Sequence, residues 1–225
     1  MNDSIELNSV KEKIVAFYNN NKKRINIIAA VFVVLIGSIY YLQGVYVPSQ
    51  EKTASKKFAE VFYYFKQDSI DIVLNGNPSK NVVSAPSIAD NYTSTNKGKE
   101  AALIAGMAYL QKKDYNKALK YLDMTDARDN IIAPSIISMK AVCHSELGDI
   151  EEAASLFEKA GMISENDFSA TYLKKAGIHF EELENWKSAL RVYNVIGETY
   201  STTPEGTSIQ LDIARMKAKL GEYNP

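Results

Sequence analysis

GMAYLQKKDYNKALKYL (residues 106–122), AVCHSELGDIEEAASLF (141–157) and GIHFEELENWKSALRVY (177–193) are one pattern written three times, 35 and 36 residues apart without an internal gap. Gly106, Ala141 and Gly177 put a small residue in a first helix, where a neighbouring helix must come close. Tyr115, Ile150 and Trp186 put a large apolar residue just after a turn. Ala118, Ala153 and Ala189 are small residues inside a second helix, and Leu122, Phe157 and Tyr193 follow four positions later on the same face. Between the two periodic runs, Lys113-Asp114, Gly148-Asp149 and Glu184-Asn185 each supply a helix-ending or N-capping residue. Any helical bundle shows apolar periodicity. Small residues returning in register mark places where helices approach at the same depth in every unit, which is the signature of a repeat array.

The order small, bulky, small, bulky across a helix–turn–helix of about 34 residues resembles the tetratricopeptide repeat. Glu184 stands where that repeat usually has a turn glycine, and Thr125 and Ile196 replace the second small residue of the second helix. Pro134 lies at the start of a first helix, where its missing N–H does no harm. Residues 98–225 therefore read as three such repeats followed by a single closing helix over 208–221, because the last repeat of a solenoid needs a cover for its apolar face. Ahead of them, residues 48–97 read as a degenerate helix pair (54–65 and 69–74) and a linker loop (75–97) broken by a short turn at 87–91. The expected fold is all-α, one N-terminal transmembrane helix followed by a short tetratricopeptide-like solenoid.

The transmembrane reading rests on INIIAAVFVVLIGSIYYLQGVYV, residues 25–47, which holds no charge. At about 1.5 Å per residue this helix is roughly 34 Å long, enough for the hydrocarbon core with modest tilt. A cleaved signal peptide would have a shorter apolar core and a small-residue cleavage site; here the run leads into Tyr40, Tyr41 and Tyr46, which suit a retained anchor at an interface. Lys22, Lys23 and Arg24 abut its N-terminal end, so the positive-inside rule places residues 1–24 in the cytoplasm and 48–225 across the membrane. Within 1–24, Leu7, Val10, Ile14, Phe17 and Tyr18 recur at helical spacing and predict a short amphipathic helix beside the lipid.

Composition narrows the chemistry. The part after Pro48 carries 21 basic and 24 acidic residues, a mildly acidic balance that argues against a nucleic-acid surface. A single cysteine, Cys143, excludes an intrachain disulfide and a cysteine-based metal site, and His144 and His179 have no acidic partner at ligand spacing. No glycine-rich phosphate loop, GxSxG elbow or HExxH helix is present, and the adjacent acids Glu151-Glu152 and Glu181-Glu182 diverge around their helices instead of converging as an acid–base couple. Neither a metal, a cofactor, a small-molecule substrate nor an enzymatic activity is expected.

An amphipathic segment, a basic triplet, one anchor and then a short repeat array resemble, over the whole chain, the YfgM-type family of tetratricopeptide proteins, ancillary subunits of the bacterial SecYEG translocon. The resemblance lies in VKEKIVAFYNNNKKRINIIAAV around the start of the anchor and in IADNYTSTNKGKEAALIAG before the first repeat. It implies an inner-membrane protein with a periplasmic array beside the translocon, paired with a PpiD-like membrane-anchored folding factor. A repeat adaptor of another envelope complex, for secretion or division, and an organelle import receptor with cytosolic repeats are the alternatives.

Two sets of residues are candidate contact sites. By register, the inward positions of the three first helices are Leu103, Met107 and Leu110, then Ser138, Val142 and Ser145, then Lys174, Ile178 and Glu181. Leu103 and Met107 stand where carboxylate-clamping receptors carry Lys and Asn, so the groove suits an apolar helix or extended segment, or else the degenerate first pair folds over it. In the anchor, Ala30, Gly37 and Gly44 recur every seven residues, on nearly one line of a regular helix, and would let a second membrane helix approach.

Overall fold

The computed structural model describes residues 2–125, 132–163 and 168–222. The chain divides into two compact units, Met1–Gln50 and Glu51–Pro225. Among the described residues the regular elements are helices, apart from one isolated β-bridge between Asn77 and Val82.

In the first unit, α1 (Asn2–Tyr41) runs without interruption through the expected boundary at residue 24. Nothing there breaks a helix: residues 19–24 contain neither Pro nor Gly, and the Asn21 side chain donates to the Phe17 carbonyl at 3.0 Å, one turn back. Phe17 and Tyr18 are exposed, while the side chains of Leu7, Val10 and Ile14 lie outside the described residues. A stretch within Val15–Lys66 is long and apolar enough to cross a membrane, and none of its most apolar window is buried in the protein. After α1 comes a π-helical turn, Leu42–Tyr46, in which the Val47 N–H bonds the Leu42 carbonyl. Its cause is Pro48, which has no N–H to offer the Gly44 carbonyl and crowds it, so the ladder widens by one residue ahead of the ring. Helix α2 (Val47–Lys66) follows, with the unit boundary inside it.

The second unit is a stack of helix pairs. α5 (Asn96–Gln111) pairs with α6 (Tyr115–Asp123), α7 (Ala133–Glu146) with α8 (Ile150–Ile163), and α9 (Ser169–Glu182) with α10 (Trp186–Thr199). The intra-pair turn is the same object each time. Lys113, Gly148 and Glu184 have φ of 60°, 87° and 55°. The next N–H then reaches back five residues, Asp114 to Tyr109 at 2.9 Å, Asp149 to His144 at 2.9 Å and Asn185 to Phe180 at 2.8 Å, which satisfies carbonyls the helix end would leave open. Asp114 and Asn185 also accept from the N–H groups of Lys117 and Ser188, capping the second helix.

The small residues of the sequence pattern are notches for the bulky ones. A Cβ placed on Gly106 would fall 2.8 Å from Leu122 Cγ, and one on Gly177 only 2.1 Å from Tyr193 Cε1. The position that recurs as small in the first helix thus receives the position that recurs as large in the second. Each pair also packs on the next, α6 on α7 and α8 on α9, burying Leu122, Ile136, Phe157 and Leu173 almost completely. Side chains of this kind are worth about 1.5–3 kcal/mol each when removed from water, whereas helices of 9 to 16 residues are marginal alone. Stacking holds the array together.

Both ends of the stack depart from the sequence expectation. Helix α3 (Ile70–Asn75) lies where the second helix of the degenerate pair was expected, but the stretch expected as a loop contains α4 (Ala85–Asn91), which buries Ala85, Ile88 and Ala89 in a core shared with α5 and with Phe58 and Val61 of α2. Ser84 caps α4 through the Ser87 N–H, and Pro86 occupies its first turn. At the other end the closing element is two helices, α11 (Pro204–Ser208) and α12 (Gln210–Lys219). Ile209, Ile213 and Met216 bury against the core that α10 belongs to, while Gln210, Arg215, Lys217 and Lys219 stay in water, as a cap requires. Helix α12 ends as the first helices of the pairs do, with Gly221 at φ 71° and the Glu222 N–H on the Lys217 carbonyl at 2.8 Å.

These ends repeat one another. YTSTNKG (92–98) and YSTTPEG (200–206) lie 108 residues apart, three repeat lengths. In each, a helix ends on the tyrosine, and the threonine three residues on donates its hydroxyl to the tyrosine carbonyl, Thr95 to Tyr92 at 2.7 Å and Thr203 to Tyr200 at 2.8 Å. The same hydroxyls accept from the N–H of Gly98 at 2.9 Å and of Gly206 at 3.1 Å. Helix α4 is therefore the second helix of a partial pair ahead of the array, and α11–α12 the first helix of a partial pair behind it. The first junction is further closed by Glu51, whose carboxylate accepts from the Asn96 and Lys97 N–H groups at 2.7 and 3.3 Å.

Candidate functional site

The inward-facing row predicted by register divides into two groups. Leu103 and Leu110 do not line an open groove: both pack against Ala118, Leu122, Ile136 and Cys143, where the first pair meets the second. Lys174 and Glu181 are also taken. Lys174 is ion-paired with Asp212, and Glu181 accepts from Arg215 at 2.6 Å and from the Tyr193 hydroxyl at 2.6 Å. The partner residues Asp212 and Arg215 belong to α12, so the closing helix docks on the third repeat through positions assigned to the groove. Glu181 is accordingly not on solvated surface, in contrast to the exposed Glu151 and Glu152. Tyr193 is pushed well above the ordinary tyrosine range, first by burial and then by the Glu181 carboxylate.

The other positions remain accessible. Met107 is 37% exposed and Ile178 50%, with Val142, Ser138 and Ser145 half-buried. Met107, Val142 and Ile178 are equivalent by register, so the three first helices present one apolar side chain each at the same height. The next residue in that series is Arg215 of α12, whose charge ends the apolar row. The degenerate first pair does not cover this row. Helices α2 to α4 pack on Ala101, Ala105 and Ala108 of α5, about 200° around the axis from Leu103, Met107 and Leu110.

Val142, Ser145 and Ile178 line one open depression of about 370 Å³ together with Glu146, Phe157, Lys175 and His179. Its floor is aromatic: the His179 ring stacks on Phe157 with centroids 5.5 Å apart, and Lys175 Nζ lies 5.3 Å from the Phe157 centroid. Around the rim, Glu146 accepts from the Tyr115 hydroxyl at 2.9 Å and His179 Nδ1 is 3.4 Å from Glu182. Register pointed to Val142, Ser145 and Ile178 but missed Lys175 and His179, each one residue along from a position it named, and Phe157, which the sequence pattern presented only as a core residue.

In the membrane-length helix the expected line of small residues is bent. Gly44 falls in the π-helical turn, whose wider winding rotates it away from the line through Ala30 and Gly37. Around Gly37 and Gly44 no other part of the described chain lies within 4 Å of an added Cβ.

Cys143 is fully buried between the first and second pairs, and burial pushes its thiol up to about 11. Compared with known proteins, the chain matches no family model and no curated sequence.

Proposed function

We propose that this protein is a non-catalytic, membrane-anchored interaction subunit whose tetratricopeptide-like array binds other proteins on the far side of the bacterial inner membrane. The observation that carries the reading is the combination, in one chain, of a helix fit to cross a membrane and a stack of helix pairs presenting Met107, Val142 and Ile178 in a row. Tethering is what gives the combination its use. A short linker holds a weak groove contact at an effective concentration of about a millimolar beside a membrane machine, so modest affinity suffices.

For the machine itself, the resemblance to the YfgM-type family points to the Sec translocon, with a PpiD-like periplasmic folding factor as the neighbouring partner. The array would then receive or present exported chains as they leave the channel. An adaptor of another envelope complex uses the same surfaces in the same compartment, whereas an import receptor has its array in the cytosol. Orientation separates these classes. A cysteine at the exposed position 202, introduced as Thr202→Cys, should react in intact cells with a maleimide that cannot cross the inner membrane. Native Cys143 is a silent background because it is buried and held as the thiol. Labelling of position 202 only after the membrane is broken would place the array in the cytoplasm and remove the translocon reading.

A further inference from the structure

We propose that α1 pairs with α1 of a second copy of this chain as a parallel two-stranded coiled coil, along a seam that begins at Leu7 and passes through Asn21 toward the membrane-length segment. Pairing of this kind is independent of what the array binds. It requires only that both copies cross the membrane in the same sense.

No break separates the pre-membrane part of α1 from the rest. A helix lying flat in the interface must turn where it enters the bilayer, yet α1 (Asn2–Tyr41) is one helix, and residues 19–24 hold neither Pro nor Gly. Residues 2–24 therefore prolong the spanning helix by roughly 34 Å, away from the lipid. Apolar side chains on that extension face water unless another chain covers them, and Phe17 is exposed in the single chain.

Register says what covers them. With Leu7 at position a of a heptad, Ile14 and Asn21 are the next a positions, and Val10 and Phe17 are the d positions between them. The same count continues into the apolar segment through Ile28 and Leu35. A strict spacing of seven draws two helices into a left-handed supercoil with this stripe between them. Two features select an identical, parallel partner. Asn21 is a polar residue at an a position; in a parallel pair the two copies of it meet at one level, which fixes register and strand number. In the single chain its side chain turns back on the Phe17 carbonyl at 3.0 Å. Glu6 is a g position and Lys11 the following e position, so in a parallel pair each Glu6 faces Lys11 of the other copy, and two-fold symmetry makes the contact twice. Lys13, the next g residue, meets Tyr18 and no like charge. Arg24, the d position at the membrane boundary, ends the water-side seam, and its long exposed side chain reaches outward to the headgroup phosphates. Ala30 and Gly37 lie about 130° around the helix from the seam, so self-pairing leaves their line to a different membrane helix.

The test uses the full-length protein in phosphatidylcholine–phosphatidylglycerol liposomes at high dilution in lipid. Cysteines are placed on the seam, as Ile14→Cys or Phe17→Cys, and on the outer face, as Ala16→Cys or Asn19→Cys, and are oxidised briefly with copper phenanthroline. Native Cys143 is buried, and the parent gives its background. Because a disulfide needs closely spaced backbones, the seam cysteines should form dimers about fivefold or more faster than the outer ones. Energy transfer between copies labelled at Thr202→Cys reads the affinity. Glu6→Lys turns two attractive contacts repulsive and should weaken pairing about fivefold, and adding Lys11→Glu should restore it; a general effect on the helix would not be restored. Equal dimer formation at all four positions, faster dimer formation from the outer face, or no rescue by the second charge change overturns the proposal. So does cross-linking of the seam cysteines in native membranes to another protein and not to a second copy. Resistance to alkaline extraction reads membrane insertion separately, so failure of pairing is distinguishable from failure of the membrane reading.

Discussion

Gly98→Ala should destabilise the array by about 3 kcal/mol or more, at or beyond the upper end of overpacking costs, although Gly98 lies in a helix and alanine is the better helix former. The two effects oppose each other and their sizes decide. Replacing glycine by alanine inside a helix gains about 1 kcal/mol. The added Cβ, however, would sit 1.9 Å from the Tyr92 carbonyl oxygen and 2.6 Å from its carbon, and a backbone cannot step aside as a flexible side chain can. Relief requires opening the turn between α4 and α5, which breaks the Thr95 hydroxyl's bonds to the Tyr92 carbonyl and the Gly98 N–H and lifts Ile88 and Ala89 off α5. Thermal unfolding followed by circular dichroism should show a midpoint lower by roughly 6–12 °C for a domain of this size. Gly206→Ala meets the Tyr200 carbonyl at the same 1.9 Å and should behave alike at the other end. A variant as stable as the parent would show that the junction does not hold the close approach described.

Tyr193→Ala should cost about 3–5 kcal/mol, in line with truncation of large aromatic side chains in cores. Tyr193 is among the largest completely buried side chains, and its ring fills the notch left by Gly177. Its hydroxyl donates to Glu181, which also receives Arg215 from the closing helix. The truncation therefore opens a cavity between α9 and α10 and loosens the seat of α12. Tyr193→Phe separates the two parts, since it keeps the ring and removes only the hydrogen bond. It should cost about 1–2 kcal/mol, because Glu181 keeps Arg215 as a partner. Chemical denaturation gives both values, and a Tyr193→Ala loss below that of Tyr193→Phe would contradict the packing described.

The helix pairs were legible in the sequence because their determinants are local and repeated. Gly106 with Leu122, and Gly177 with Tyr193, are notch and knob within one pair, less than one repeat apart, and three copies make the pattern stand out from ordinary amphipathicity. Helix α4 was not legible by the same means. It is short, opens with Ala-Pro-Ser, and is bounded by Asn and Ser, so its local signal is that of a loop; its burial is conferred by α5. The duplicated YTSTNKG and YSTTPEG carried the information, three repeat lengths apart and outside the stretch on which the repeats were aligned. The groove shows the same division. Register fixes which way a side chain points, and Met107, Val142 and Ile178 do lie accessible. It says nothing of what arrives from elsewhere: Asp212 and Arg215, which occupy Lys174 and Glu181, come from 34 to 38 residues further along the chain. The π-helical turn at Leu42–Tyr46 likewise depends on one residue, Pro48, just past the stretch read as anchor.

On the proposed function, anchor and groove act together to hold this chain in a membrane complex. The direct measurement is isolation of the full-length protein from native membranes in mild detergent, with the co-purifying proteins identified and quantified. It should be made side by side for the parent, for Met107→Asp with Ile178→Asp, and for a form whose residues 25–47 are replaced by an unrelated membrane span. Translocon subunits and a membrane-anchored folding factor should co-purify with the parent, and the folding factor or exported chains should be lost with the double Asp variant. With the replaced span, recovery of the complex should be weaker. Recovery of the same proteins in the same amounts from all three forms would contradict a joint action of anchor and groove.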